Sequence, residues 1–126
     1  MTGNTLRQVG KSGVAVPRIG YGATALSDMP DTYGYGVDEA TARAAIDAIF
    51  DGPSNLLDTS RNYGFGRSEE RIGAAIRARG GLPKGFVLST KLDRDMETGR
   101  FDGDRAAVRA ATVQHALDRL NALLQG

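Results

Sequence analysis

Three side chains of this sequence have the types and spacing needed for acid–base chemistry at a carbonyl group. Asp58 ends a short apolar run, Tyr63 follows five residues later, and Lys91 lies near the end of another apolar run. A phenol is a poor acid at neutral pH, but a neighbouring ammonium favours the phenolate and lowers the pKa of the phenol. The ammonium in turn needs a carboxylate to stay charged away from water. Such a trio, if assembled, would deliver a proton to a developing alkoxide.

Each of the three residues also has a simpler interpretation. An aspartate at a strand end commonly caps a turn, a tyrosine before a glycine commonly packs on a loop, and a lysine is commonly exposed to solvent. Spacing alone leaves both interpretations open. The elements that carry the three residues decide whether the side chains can meet.

The first part of the chain is expected to form a hairpin and a short strand. Residues 5–17 predict a β-hairpin, because valines and a leucine flank a Gly-Lys-Ser-Gly turn. Residues 18–26 predict a short strand that breaks at its glycines, and residues 27–36 predict a loop.

Helices and strands alternate after this loop. Asp38 is expected to cap a helix that runs to about Phe50, because apolar residues recur there at the spacing of one helix face. Residues 55–58 predict a short buried strand, and residues 85–92 predict a further strand.

Two more helices complete the pattern. Ser68 is expected to cap one of them, with Glu69 and Glu70 in the first turn, where the helix dipole favours acidic side chains. Gly80 is expected to end this helix, and a polar loop leads to a last helix over about 104–124.

Alternating strands and helices predict an α/β fold with a parallel sheet, in which residues 1–126 form one unit. The hairpin at 5–17 precedes about three βα units in residues 18–126. The carboxyl ends of parallel strands lie at one edge of the sheet. Asp58 and Lys91 are therefore expected to meet at that edge, with Tyr63 in the loop above them.

Composition excludes several other functions. The net charge of +1 gives no reason to expect binding to nucleic acid or to an anionic membrane. The chain has no cysteine and only one histidine, His115, so we expect no metal site. No apolar run is long enough to span a membrane and the N-terminus lacks a signal core, which predicts a cytoplasmic protein.

Four pieces of the sequence resemble the N-terminal part of aldo-keto reductases, in the branch that includes aldose and pyridoxal dehydrogenases. They stand in the family's order and are LRQVGKSGVAVPRIGYGATAL, LLDTSRNYGFGRSEERIGAAI, FVLSTKL and the helix that contains HALDRL. The most specific is the Asp-Thr-x-x-x-Tyr-Gly-x-Gly-x-Ser-Glu pattern at residues 58–69.

The resemblance implies a partial (β/α)8 TIM barrel, closed at its bottom by the N-terminal hairpin. It also implies transfer of a hydride, without a metal, between NADP or NAD and an aldehyde, a ketone or a sugar alcohol. Asp58, Tyr63 and Lys91 match three of the family's four catalytic residues, with Tyr63 as the general acid. By the same resemblance, the segment Gly22, Ala23 and Thr24 would lie beside the nicotinamide, although a tight bend explains its glycine equally well.

One departure from the family keeps a second interpretation open. The fourth catalytic residue of the family is a histidine at the end of the fourth strand, and we expect this chain to stop before that strand. His115 lies upstream, in the predicted last helix. The chain is therefore expected to be either an incomplete reductase or an inactive module that binds a partner or self-associates through open sheet edges. An unrelated three-layer α/β domain is the remaining alternative.

Overall fold

The computed structural model describes residues 5–91 together with Ala122 and Gln125. These residues contain two small sheets. The first is antiparallel and consists of β1 (Arg7–Gln8) and β2 (Ala15–Val16). The second is parallel, with the strand order β3 (Tyr21–Gly22), β4 (Leu56–Asp58) and β5 (Val87–Ser89).

The hairpin predicted at residues 5–17 is present. The amide of Val9 donates to the carbonyl of Val14 over 2.8 Å, which closes the turn. Ser12 stabilises the turn from within, because its hydroxyl donates to the carbonyl of Val9 over 2.6 Å.

Strand β3 ends at Gly22, inside the range 18–26 predicted to hold a strand, and the segment after it differs from the loop predicted at residues 27–36. A short 3₁₀-helix spans Thr24–Ser27, and α1 spans Pro30–Tyr33. Pro30 can begin a helix because its ring fixes a helical φ and its missing amide hydrogen is not needed in the first turn. Gly34 ends α1 at a φ of 76°, and its amide donates to the carbonyl of Pro30 over 2.7 Å.

Helix α2 (Glu39–Phe50) begins as predicted. The side chain of Asp38 accepts a hydrogen bond of 2.7 Å from the amide of Thr41, and this bond lowers the pKa of Asp38 below its ordinary value of 3.8. Ala42, Ile46 and Phe50 are buried on one face, as their spacing predicts.

Helix α3 (Arg67–Ala78) begins differently from the prediction. Gly66 is the N-cap, so the expectation that Ser68 caps the helix is wrong. The hydroxyl of Ser68 is buried and lies 2.8 Å from the hydroxyl of Thr59, with the carbonyl of Ala23 at 3.3 Å. Ser68 therefore connects the helix to the sheet, which the local sequence pattern could not reveal.

The core lies between the parallel sheet and helices α2 and α3. Phe50 of α2 and Phe86 before β5 pack edge to face, with their ring centroids 5.0 Å apart. The other buried members of the core cluster are Ala23, Ile46, Leu57, Ile72, Ala75 and Ile76. The apolar face of α2 predicted from its spacing thus contributes to this core.

The remaining predicted elements fall largely outside the described residues. The polar loop and most of the helix predicted at 104–124 lie there, as does His115, although Ala122 and Gln125 are helical. Within the described ranges, no helix has both the length and the apolar character needed to cross a membrane.

Strand β4 allows a test of the packing, because its two leucines have different environments. The side chain of Leu57 is fully buried, whereas Leu56 is half-buried. We expect Leu57→Ala to lower the free energy of unfolding by about 2–5 kcal/mol, since it leaves a cavity between sheet and helices. Leu56→Ala is the matched control and should cost less. Equal losses in urea denaturation would contradict this arrangement of the core.

Candidate active site

The parallel register places one residue from each strand in a row at the carboxyl edge of the sheet. Gly22 of β3 pairs with Asp58 of β4, which pairs with Ser89 of β5. The ladder extends one step further, since the amide of Ala23 donates to the carbonyl of Asp58 and the amide of Thr59 donates to that of Ser89. The residues predicted to carry the chemistry are therefore expected at this edge.

The structure brings together the three side chains that the sequence selects for catalysis. The ammonium nitrogen Nζ of Lys91 lies 2.5 Å from Oδ2 of Asp58 and 3.3 Å from the hydroxyl oxygen of Tyr63. It also donates to the carbonyl of Thr59 over 3.0 Å. The ammonium of Lys91 therefore contacts both the carboxylate and the phenol. Its side chain is 43% exposed and that of Asp58 is 42% exposed, so the site is open to small molecules.

The carboxylate of Asp58 is held by two donors. Oδ2 accepts from Lys91, and Oδ1 accepts from the hydroxyl of Ser89 over 3.0 Å. Ser89 lies two residues before Lys91, and side chains two apart in a strand point to the same face. That spacing was the signal that could have selected Ser89, but it does not identify Asp58 as its partner.

Tyr63 is positioned by a sharply turned loop between β4 and α3. The three residues after it, Gly64, Phe65 and Gly66, have positive φ values of 65°, 55° and 98°. A β-carbon at Gly64 would collide with the carbonyl oxygen of Ser27, so this loop packs closely on the preceding one only because the residue is glycine. Phe65 is 83% exposed, at the outer point of the turn.

Arginines of α3 fix the loop that follows β3. Arg67 donates from Nη1 to the carbonyls of Ser27 and Asp28, at 3.2 and 2.9 Å. The buried Arg71 donates to the carbonyls of Leu26 and Val37, at 2.6 and 3.0 Å. Arg71 also forms an ion pair with Glu39, which lies at the start of α2. The two loops at this edge are thus connected through α3.

The three residues predicted to lie beside a nicotinamide have different environments. Gly22 is exposed, and a β-carbon added there would meet no atom within 4 Å. Ala23 is fully buried, with its amide bonded to Asp58 and its carbonyl to Ser68. Thr24 is half-buried and begins the 3₁₀-helix. The space next to the Gly22 backbone is therefore open and lies beside Asp58, whereas Ala23 contributes to the edge through its backbone.

The pKa of Lys91 reflects two opposing effects. Partial burial acts to lower the pKa, but the hydrogen bonds with Asp58 and Tyr63 outweigh it and raise the pKa above the ordinary value of 10.5. The ammonium is therefore charged throughout the neutral range.

Among the described residues, no group of three histidine, cysteine or acidic side chains could hold a metal ion.

Comparisons with known proteins agree with this geometry. The sequence profile of the aldo/keto reductase family matches residues 18–125, which is most of the chain. A search of curated protein sequences gives no match.

Two solved structures are similar over nearly the whole chain. One is an aldo-keto reductase from Bacillus halodurans in its holo form, with 30% identity and a TM-score of 0.65 over 93% of this chain and 36% of that one. The other, from Pseudomonas aeruginosa, is also described as an aldo-keto reductase, with 30% identity and a TM-score of 0.67 over 94% of this chain and 44% of that one. The chain thus spans less than half the length of either structure, and its fold is part of a (β/α)8 barrel, as predicted.

The raised pKa of Lys91 predicts how stability depends on pH. Because the folded-state pKa lies above 10.5, the charged ammonium contributes its full stabilisation below that pH. The contribution is lost as the pH rises through the folded-state value. We expect the difference in free energy of unfolding between wild type and Lys91→Met to be constant up to about pH 10 and to shrink above it.

Urea denaturation at a series of pH values measures this difference. Lys84→Met removes another exposed lysine and is the matched control for the loss of one charge. A difference that instead grows as the pH rises towards 10.5 would show that burial, rather than the two hydrogen bonds, dominates at Lys91, because the folded-state pKa would then lie below 10.5.

Proposed function

Because this chain belongs to the aldo/keto reductase family, we propose that it carries the proton-delivery site of an oxidoreductase that uses NADPH or NADH. The substrate is the carbonyl group of an aldehyde, a ketone or a sugar, and the reverse reaction oxidises the corresponding alcohol. NADPH and NADH are water-soluble dinucleotides, and we propose that the enzyme is cytoplasmic.

One observation carries this proposal. The ammonium of Lys91 contacts both the carboxylate of Asp58 and the hydroxyl of Tyr63, at the carboxyl edge of a parallel sheet. Active sites of parallel α/β barrels lie at this edge. A surface lysine is ordinarily hydrated, whereas the ammonium of Lys91 binds three oxygen atoms from β4 and the loop after it.

The proposal gives each side chain a role. The hydroxyl of Tyr63 donates its proton to the carbonyl oxygen of the substrate as negative charge develops there. The positive charge of Lys91, 3.3 Å away, stabilises the phenolate that remains. Asp58 offsets the charge of Lys91 and holds its direction, because the carboxylate is itself fixed by Ser89. When bound, the nicotinamide supplies the hydride that the carbonyl carbon accepts.

We propose that the nicotinamide binds at the same edge. The exposed Gly22 has no side chain and pairs in register with Asp58, so a flat ring above it would lie next to the catalytic groups. The buried Ala23 and the half-buried Thr24 form the adjoining bend. These residues would contact only the nicotinamide ring of the cofactor, and so they do not distinguish NADPH from NADH.

Removal of the phenolic hydroxyl tests the role of Tyr63. We expect Tyr63→Phe to lower kcat for carbonyl reduction by about 100- to 10,000-fold, because the proton donor is lost. Dinucleotide affinity should stay nearly unchanged. Tyr35→Phe removes the hydroxyl of an exposed tyrosine in the preceding loop and is the matched control. Wild-type activity in Tyr63→Phe would exclude Tyr63 as the acid.

Dinucleotide binding is tested by calorimetric titration of the 126-residue chain with NADPH and with NADH. We expect saturable binding of at least one of them. Gly22→Val should weaken that binding by filling the space above β3, and it should leave folding intact because no atom lies within 4 Å of an added β-carbon. A folded chain that binds neither dinucleotide would contradict the cofactor part of the proposal. Unchanged affinity in Gly22→Val would remove Gly22 from the site.

A further inference from the structure

The first turn of α3 contains two polar side chains that are buried and directed at the sheet. Ser68 is fully buried and reaches Thr59 and Ala23, next to the ends of β4 and β3. Glu69 is only 4% exposed, and its Oε1 accepts a hydrogen bond of 2.7 Å from the hydroxyl of Thr90. Ser68 and Glu69 therefore connect the start of α3 to residues next to the ends of all three strands of the parallel sheet.

Burial of a carboxylate costs free energy unless its surroundings replace the lost hydration. Two features of the surroundings of Glu69 do this. Glu69 lies in the first turn of α3, where the helix dipole favours negative charge. It also accepts the hydroxyl of Thr90, and a hydrogen bond to a charged acceptor is stronger than one between neutral groups. The hydrogen bond between Glu69 and Thr90 is therefore a stabilising interaction of the fold.

Strand β5 lies at the outside of the described sheet, as β3 does, so its end gains from an anchor outside the ladder. Among the described strands, β5 pairs only with β4, and its last ladder bond is the one that the carbonyl of Ser89 accepts from Thr59. Thr90 and Lys91 follow that bond. The side chain of Thr90 thus holds the backbone immediately before Lys91.

The contact also joins the two parts of the candidate site. Glu69 belongs to the helix that follows the Tyr63 loop, and Thr90 directly precedes Lys91. A hydrogen bond between them fixes the Tyr63 loop relative to the end of β5. The separation of 3.3 Å between the Lys91 ammonium and the Tyr63 hydroxyl depends on that relation.

We propose that Glu69 and Thr90 are positioning residues that hold the Lys91 ammonium between Asp58 and Tyr63. Neither residue contacts the hydroxyl of Tyr63 or the carboxylate of Asp58 in the hydrogen bonds described above, so they act through Lys91. The catalytic consequence rests on the proposed function, whereas the effect on Lys91 itself does not.

Removal of the Thr90 hydroxyl tests the proposal without any assay of activity. The chain has three lysines, and Lys11 and Lys84 are exposed, so a lysine-labelled sample gives three side-chain signals to follow by NMR. Thr90→Val keeps the shape of the side chain and removes the donor to Glu69. We expect the pKa of Lys91 to fall towards 10.5, because the hydrogen bonds that raise it lengthen.

Two further variants make the result interpretable. Thr90→Ser keeps the hydroxyl and should leave the pKa of Lys91 at the wild-type value. Asp58→Asn removes the charged partner and should lower the pKa of Lys91 whatever the role of Thr90, which shows that the signal reports the site. Equal Lys91 pKa values in Thr90→Val and Thr90→Ser would overturn the proposal. Thr90→Ala, which introduces no larger group, replaces Thr90→Val if the valine variant does not fold.

Kinetics supply a second, separable readout. We expect Thr90→Val to lower kcat for carbonyl reduction by between about 10- and 100-fold with little change in KM, because the Tyr63 proton is misplaced while binding surfaces are intact. Thr90→Ser should restore the rate. If the wild-type chain reduces no carbonyl, the proposed function fails, but the NMR comparison still decides whether Glu69 and Thr90 position Lys91.

Discussion

The ammonium of Lys91 is the charge around which the carboxyl edge of the sheet is arranged. It takes the Asp58 carboxylate, the Tyr63 hydroxyl and the Thr59 carbonyl as partners, so it satisfies its three donors within one small space. The hydrogen bonds with Asp58 and Tyr63 outweigh the cost of partial burial and raise the pKa of Lys91. The attraction of Asp58 is what allows a lysine to remain charged beside a phenol, and any proton delivery by Tyr63 depends on that charge.

Two features of the fold bring these groups together. The parallel register places Gly22, Asp58 and Ser89 in one row, so that the strand ends meet at one edge. The first turn of α3 then connects that row to the loop of Tyr63, because Ser68 and Glu69 face the sheet instead of solvent. Backbone pairing between the strands therefore places the residues at this edge, and polar side-chain contacts from α3 orient them.

Local patterns in the sequence predicted much of this fold. The spacing of Ala42, Ile46 and Phe50 predicted the buried face of α2, and Asp38 marked its N-cap, because helix periodicity and capping act within a few residues. The same reasoning failed at Ser68, whose type suits a cap but whose hydroxyl is used by Thr59, nine residues away. It also missed α1, where Pro30 begins a helix in a segment that reads as a loop.

The sequence by itself determined the order of the elements and the selection of Asp58, Tyr63 and Lys91, since residue type and spacing carry that information. Only the tertiary structure decided that Ser89 orients Asp58 and that Glu69 holds Thr90. These contacts join residues 31 and 21 positions apart. No local pattern specifies them, because they arise when packing of the core brings separate strands and a helix start to the same edge.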